Sequence, residues 1–527
     1  MKYQYSSAAV LTTGIAALLA TPLLFVIYSA LTTDGALWIR LWQTRLPFLF
    51  SNTLSLLLAV GLISLVLGVS LAWIMARYEF TGKRIWKWLV LLPFAMPGYV
   101  LAYAYATIMA PGGIFHNFWV LIGGDLASMP SLYSFWGVAL ILSLVNYPYV
   151  YLLTYMSLLK TNAHYEESAL LAGASKTRVA WSITLPMARP AIIAGLALAL
   201  MEVLADYGTV ALLRYPTFTE AIVRQMQARF DPYGAAAIGA VVLILTISLM
   251  LIERYFRGRK SYTQVVGGAR AYQPQKLRGK SLVLVSGFFL LIAVFAFFAP
   301  VAMLIRLSLM GSVIPDLLSS LLSSLIVAFI GATVAVVVVL PIAYLNVRNK
   351  TFLSKISSYA VAMGYSLPGP VIAVGLTLLV TTFVPALFGG FVVLIFAYLV
   401  RFSPIALQSQ EAAIQQVSTN LEDAARILGK SPIQTVREIT LSLIKPAVFT
   451  AWILVFVDII KELPATMMLR PLAFDTLAIQ VWMMASEELW ELAAAPALLI
   501  VIVGLFPIIY FVGKMEQGGG GRDGKGI

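Results

Sequence analysis

The chain has 527 residues, is 61% hydrophobic and only 11% charged, and carries a formal net charge of +13 with no cysteine. Soluble domains keep about a quarter of their residues charged, so a soluble globule is excluded, as are disulfide frameworks and cysteine metal sites. Surplus positive charge can indicate nucleic acid, but in so apolar a chain its placement is more informative than its sum.

Runs of roughly 20 apolar residues, enough to cross about 30 Å of hydrocarbon, recur throughout. In chain order the sequence predicts twelve transmembrane helices: 8–30, 53–76, 86–110, 132–157, 190–213, 234–255, 281–308, 321–345, 356–381, 387–408, 446–469 and 492–513. The first is read as a span rather than a signal peptide, because its apolar run is long and no small-residue cleavage site follows cleanly. With the N-terminus in the cytoplasm, 14 of the 15 lysines fall on the cytoplasmic side and only Lys461 does not. An even number of spans then places both termini in the cytoplasm. The stretch 253–280 holds eight bases and one acid and reads as a cytoplasmic linker with no need of nucleic acid.

Two polar segments interrupt this apolar chain, "YEESALLAGASKTRVAWSITLPMARPAI" at 165–192 and "LEDAARILGKSPIQTVREITLSLIKPAV" at 421–448. They align without gaps: Glu167 matches Asp423, Gly173 matches Gly429 and Pro190 matches Pro446, each pair 256 positions apart. Upstream, Arg77 matches Arg348 and Pro97-Gly98 matches Pro368-Gly369, each 271 apart. The first copy therefore holds 15 extra residues, assigned to 110–131 on the outer face. Six spans per copy make a parallel repeat about an axis along the membrane normal. The expected layout is a first half at 1–255, a basic linker at 256–280, a second half at 281–515 and a Gly-rich tail at 516–527.

Each polar segment opens as a short helix with acids near its positive N-terminal end and a Gly at its break. In the first copy "TRVAWSITLP" adds a further turn or two, stopped by Pro186. One such segment would be an ordinary amphipathic connector on the membrane surface. Two at matched cytoplasmic positions, about 160–190 and 411–446, indicate a surface presented twice to a two-fold partner.

The pattern E-x-A-x-x-x-G followed by I-x-L-P resembles the EAA loop of permease subunits of binding-protein-dependent ABC importers. It stands here as Glu167, Ala169, Gly173, Ile183, Leu185 and Pro186, and again as Asp423, Ala425, Gly429, Ile439 and Leu441. The second copy departs in Asp423 for Glu and Ser442 for Pro. The resemblance implies an all-α polytopic membrane protein with the type I importer permease fold, about 12 transmembrane helices in two parallel six-helix repeats. It implies ATPase coupling through Glu166, Glu167, Ala169, Gly173, Glu422, Asp423, Ala425 and Gly429. It further implies two copies of a cytoplasmic ABC ATPase, an external solute-binding protein, and a place in the bacterial cytoplasmic (inner) membrane, among its lipids. The chain has no cofactor of its own in this reading, and ATP and Mg are bound by the partner subunits. Consistent with a transport subunit rather than an enzyme, no G-x-x-x-x-G-K-[ST] occurs; "GKS" at Gly279 and at Gly429 lacks the upstream Gly.

Acids inside spans cost about 2.5 to 3.5 kcal/mol each, so four of them need a reason. Glu202 and Asp206 are spaced to share one helical face, as are Asp458 and Glu462, and the two pairs are repeat partners. A pseudo-two-fold axis would bring all four toward the centre, about 18 to 24 Å up from Pro190 and Pro446. Two readings stay open. Lys461 and Arg214 could neutralise them as structural ion pairs, or the acids, with Tyr207, line a translocation path suited to a hard cation. The phrases "LADYGTVALL" and "KELPATMMLRP" resemble fused ferric-iron importer permeases, which implies ferric iron as substrate. Thiamine permeases share the architecture, however, and phosphonate, polyamine, sulfate and molybdate permeases share the loop. His116 is external and His164 lies in the coupling region, so no permanent metal site is expected. A proton-coupled secondary transporter could use the four acids but gives no reason for duplicated loops. No nucleophile–base constellation supports a membrane enzyme.

Overall fold

Hydropathy sets most of the span boundaries of this chain, and helix breaks at Pro97, Pro368, Asp206 and Glu462 set the rest. The computed structural model describes residues 2–257, 272–311, 316–349 and 351–519. Most of the basic linker and the tail from 520 onward lie outside the described residues. Among the described residues, ten helices are long and apolar enough to cross a membrane, and one bent pair makes an eleventh. The protein is an all-α polytopic membrane protein.

Eight predicted spans appear near their predicted positions, among them Leu46–Arg77, Phe135–Leu159, Leu317–Arg348 and Phe391–Gln416. Their two faces differ as a bilayer requires. Along Leu46–Arg77, Leu56, Val60 and Ser64 are buried, while Leu58, Leu62 and Val66 are exposed at the same four-residue spacing. The helix expected to give way to a tail at 516 continues to Gly519.

Four predicted spans need correction. The helix expected over 86–110 breaks at Pro97, where Lys83–Ala95 and Gly98–Leu121 bend by 94°. That expected over 356–381 breaks likewise at Pro368, between Met363–Ser366 and Gly369–Phe383. The cause is shared: Pro forces the preceding residue out of the helical region, and Met96 and Leu367 are both extended. The spans expected over 190–213 and 446–469 begin and end earlier, at Lys176–Ala205 and Pro432–Lys461. Each contains a single wide turn, Ala180–Thr184 and Val436–Thr440, which carries the chain onward without a stop. Pro186 therefore does not end the helix. It stands two residues past the wide turn, where the regular hydrogen-bond ladder is already interrupted and a missing N–H is accommodated.

The chain forms two compact units that cut across the sequence repeat. One comprises Met1–Leu46, Phe218–Leu243 and Val313–Met483. Its core is the mutually packed trio Leu317–Arg348, Phe391–Gln416 and Leu441–Lys461, and the N-terminal helix Lys2–Thr32 packs on Phe352–Ala362 and Gly369–Phe383. The other comprises Pro47–Thr217, Ile244–Ser312 and Met484–Ile527. There Phe135–Leu159 packs against Leu185–Ala205, and Ala299–Met310 packs against Trp490–Gly519. Each unit thus contains one polar segment and one Pro-Gly bend.

Candidate functional site

Both polar segments fold into the same object. Asn162 caps the helix Ala163–Leu171 through the His164 N–H (3.1 Å), and Ser418 caps Thr419–Ile427 through the Asn420 N–H (3.3 Å). Each helix ends in a left-handed glycine, Gly173 at φ +86° and Gly429 at φ +84°. Around each, two backbone bonds close the helix: Gly173 N to Leu170 O (3.0 Å) and Ala174 N to Ala169 O (3.0 Å), then Gly429 N to Arg426 O (3.0 Å) and Lys430 N to Ala425 O (3.1 Å). This is the Schellman arrangement, which needs a positive φ that glycine adopts without a Cβ penalty.

The adjacent acids divide by position. Glu166 and Glu422 are buried, and each grips an arginine from the end of an earlier span. Arg77 Nη2 donates to Glu166 Oε1 at 2.5 Å and Nη1 to Oε2 at 3.0 Å; Arg348 Nε and Nη2 reach Glu422 Oε1 at 3.0 and 2.9 Å. The wide turn closes the same pair, because Thr184 donates to Glu166 (2.9 Å) and Thr440 to Glu422 (2.7 Å). These two acids brace the segment from inside. Glu167 and Asp423 point outward, with His164 Nδ1 4.0 Å from Glu167 and Arg426 3.5 Å from Asp423. Ala425 is buried and Ala169 half-buried, small residues on the braced face. The outer face presents Leu171, 88% exposed, and Ile427 with Leu428, 85% and 82% exposed, beside the left-handed glycines. Both copies thus present large aliphatic side chains outward at matched positions beside the glycine.

The intramembrane acids occupy a second pair of matched constructions. Asp206 and Glu462 do not continue the helical face of Glu202 and Asp458, because the helices end at Ala205 and Lys461. Each carboxylate instead turns onto the next short helix. Asp206 accepts from Thr209 N (3.0 Å), Val210 N (3.2 Å) and Thr209 Oγ1 (2.8 Å). Glu462 accepts from Ala465 N (3.1 Å), Thr466 N (2.9 Å) and Thr466 Oγ1 (2.8 Å). The Pro-Gly bends lie against them. A Cβ on Gly98 would overlap Thr209 Oγ1 and sit 3.1 Å from Asp206 Oδ2; one on Gly369 would sit 2.6 Å from Glu462 Oε1. Glycine is required there by contact.

The expected pairings hold only in part. Lys461 bonds Asp458 at 3.1 Å, whereas Arg214 reaches Glu488 at 3.5 Å rather than Glu202 or Asp206. Arg401, not among the residues expected from the sequence, stands 3.9 Å from Glu462 and donates to Leu367 O at the bend (3.2 Å). A lone arginine in a predicted span was the signal for it. Thr184 and Thr440 were also readable, as matched threonines in the aligned segments. Glu202 is half-buried and Tyr207 buried beside Asp206. Among the described residues no cluster of three His, Cys, Asp or Glu side chains could hold a metal ion.

A family profile described as "Binding-protein-dependent transport system inner membrane component" matches the chain twice, over residues 68–262 and 340–517. The chain is 29% identical over 498 residues to the Fe(3+)-transport system permease protein FbpB 2 of Haemophilus influenzae, covering 93% of this chain and 94% of the relative. It is 33% identical over 205 residues to a probable sulfate transport system permease protein cysT of Chlorokybus atmophyticus, covering 38% of this chain and 69% of that protein. The sulfate transport system permease protein CysT of Salmonella typhimurium is 27% identical over 249 residues, covering 44% of this chain and 88% of that relative.

Proposed function

The chain belongs to the binding-protein-dependent transport system inner membrane components, and from that membership we propose that it is a fused permease that imports ferric iron. One observation carries the importer reading: two braced segments, each ending in a left-handed glycine beside exposed aliphatic side chains, so that a partner is gripped twice. In this reading two copies of a cytoplasmic ATPase dock on Ala163–Leu171 and Thr419–Ile427, bind ATP and Mg, and supply the hydrolysis. A solute-binding protein delivers the substrate from the outer side, and both termini are cytoplasmic. Iron is favoured over sulfate because the similarity to the iron permease runs through nearly the whole of both chains, whereas each sulfate permease covers less than half of this one.

Within that function Glu202 and Asp458 carry the translocation path. They precede the helix breaks, and their carboxylates suit a hard cation. Asp206, Tyr207 and Glu462 support the path by holding the breaks open at the two bends. The test is reconstitution of the full chain with its ATPase and binding protein in liposomes. ATP-dependent accumulation of ferric iron, reduced by Glu202→Gln without loss of folded yield, is the expected result. Sulfate uptake in place of iron would overturn the substrate, and uptake without ATPase subunits would favour a proton-coupled carrier.

A further inference from the structure

On the side opposite the lysine-bearing loops, the first unit contains a cavity of about 440 Å³ between the helix Gly35–Thr44 and residues 225–231. Arg40, Arg45 and Arg229 line it, with Asp231 the one acid among the lining residues. Loops at this end of the spans hold no lysine, and three of the arginines found there converge on this one cavity. The wall is built rather than incidental. Arg45 Nη1 donates to the buried Gln225 at 3.5 Å, Gln225 Nε2 donates to Asp231 Oδ2 at 2.6 Å, and Gly234 N holds Asp231 Oδ1 at 2.8 Å. Asp231 is thereby committed to the wall, leaving the cavity net positive.

The helix that supplies Arg40, and that Arg45 caps, is amphipathic in an unusual sense. Arg40, Leu41, Thr44 and Arg45 face the cavity, while Ile39 and Trp42, on its other side, are 60% and 66% exposed. A short helix with exposed aliphatic and indole side chains directly after a span lies in the membrane interface. Phe230, next to Arg229, is 84% exposed and held at φ +53°, a backbone state that bulky residues rarely adopt. The basic cavity is therefore bordered by exposed apolar and aromatic side chains, Phe230 beside Arg229 and Ile39 with Trp42 on the far face of the helix, at lipid headgroup level.

We propose that this cavity binds the phosphate of an anionic phospholipid headgroup, with the guanidinium groups of Arg40, Arg45 and Arg229 as its donors and Ile39, Trp42 and Phe230 against the lipid. Guanidinium forks match phosphate oxygens, and a free anion or an acidic protein loop would have no use for the apolar surround.

The test uses the full chain, purified in detergent, delipidated and titrated with short-chain phosphatidylglycerol while native mass spectrometry counts bound lipid. The parental chain should retain phosphatidylglycerol in preference to phosphatidylcholine. An Arg40→Gln/Arg229→Gln variant, altering the two exposed arginines and sparing the Arg45–Gln225–Asp231 wall, should weaken that retention about ten-fold or more. Size-exclusion profiles identify any variant that fails to fold, and Arg229→Gln alone then provides the reading. Equal protection of the chain against heating by inorganic phosphate at the same concentration would assign the site to a free anion and overturn the lipid source. Unchanged lipid retention in the variant, or loss only of binding-protein capture, would overturn the proposal altogether.

Discussion

The two braced segments share one ion pair and close it by different means, and the difference shows which parts of the design the duplication kept. In the second copy Glu422 receives a third donor from its own unit: Tyr344, one turn before Arg348, gives its hydroxyl to Oε2 at 3.1 Å, while Arg348 also bonds Val417 O at 2.9 Å. The repeat partner of Tyr344 is Trp73, which has no hydroxyl. In the first copy the guanidinium is instead covered by rings, with Trp73 5.4 Å and Tyr272 4.1 Å from Arg77. Tyr272 comes from the linker, whose residues Gln275–Lys276 pair in parallel with Tyr78–Glu79. The acid, arginine, threonine and glycine are common to both copies; what surrounds the arginine is not. The ion pair is therefore the element both copies keep, and its cover is where they differ.

The largest effect tests the ion pair itself. Arg77→Ala leaves Glu166 with Thr184 as its remaining donor, whereas Arg348→Ala leaves Glu422 with both Tyr344 and Thr440. Stranding a buried carboxylate costs about 3 to 5 kcal/mol. Both variants should lower the thermal unfolding midpoint, Arg77→Ala by more, and adding Glu166→Gln should recover part of that loss. Equal losses would mean that the tyrosine of the second copy contributes nothing, and the comparison would fail.

Next comes that tyrosine. A hydrogen bond to a charged group contributes about 1.5 to 3 kcal/mol, so Tyr344→Phe should destabilise the chain by that order. Trp73→Phe, at the matched position, breaks no hydrogen bond to Glu166 and should cost less. Denaturation of the two variants side by side ranks them; the reverse order would remove the hydroxyl from the account.

The glycines should behave alike in the two copies. A Cβ at Gly173 or Gly429 meets no atom within 4 Å, so Gly→Ala there costs the left-handed backbone alone, about 1 to 2 kcal/mol at each. The helix end should shift, moving Leu171 or Ile427 on the exposed face. We expect each variant to fold, to hydrolyse ATP with its partners, and to transport less per ATP. Transport per ATP at the parental level in either variant would separate the glycines from coupling.

Much of this architecture could be read from the residues, and the misses share a cause. The spans followed from hydropathy and the repeat from the 256- and 271-residue offsets. The polar segments stood out because charge inside an apolar chain has few explanations. The breaks at Pro97 and Pro368 were overlooked because the apolar run continues through them, and hydropathy does not register a bend. Asp206 and Glu462 were assigned to one helical face with Glu202 and Asp458 on the same assumption of continuity. Helical spacing cannot reveal that a carboxylate caps the next helix. The inward turn of Glu166 and Glu422 depends on arginines 89 and 74 positions away, and only the fold brings them together.

The smallest expected effect isolates the linker. Tyr272→Leu removes one ring from over Arg77 but leaves the Glu166 hydrogen bonds and the Gln275–Lys276 pairing in place. A cation–π contact contributes from about 0.5 kcal/mol at an exposed site to about 2 kcal/mol where the cation is buried, as Arg77 is, so the unfolding midpoint should move by less than for Arg77→Ala. The informative measurement is a pair of double-mutant cycles. Combined with Arg77→Ala, Tyr272→Leu should add almost nothing, since the cation it covers is gone. Combined with Tyr344→Phe, in the other unit, the two losses should sum. Additivity with Arg77→Ala would show that Tyr272 acts through the linker strand rather than the guanidinium, and the first copy would then owe its cover to Trp73 alone.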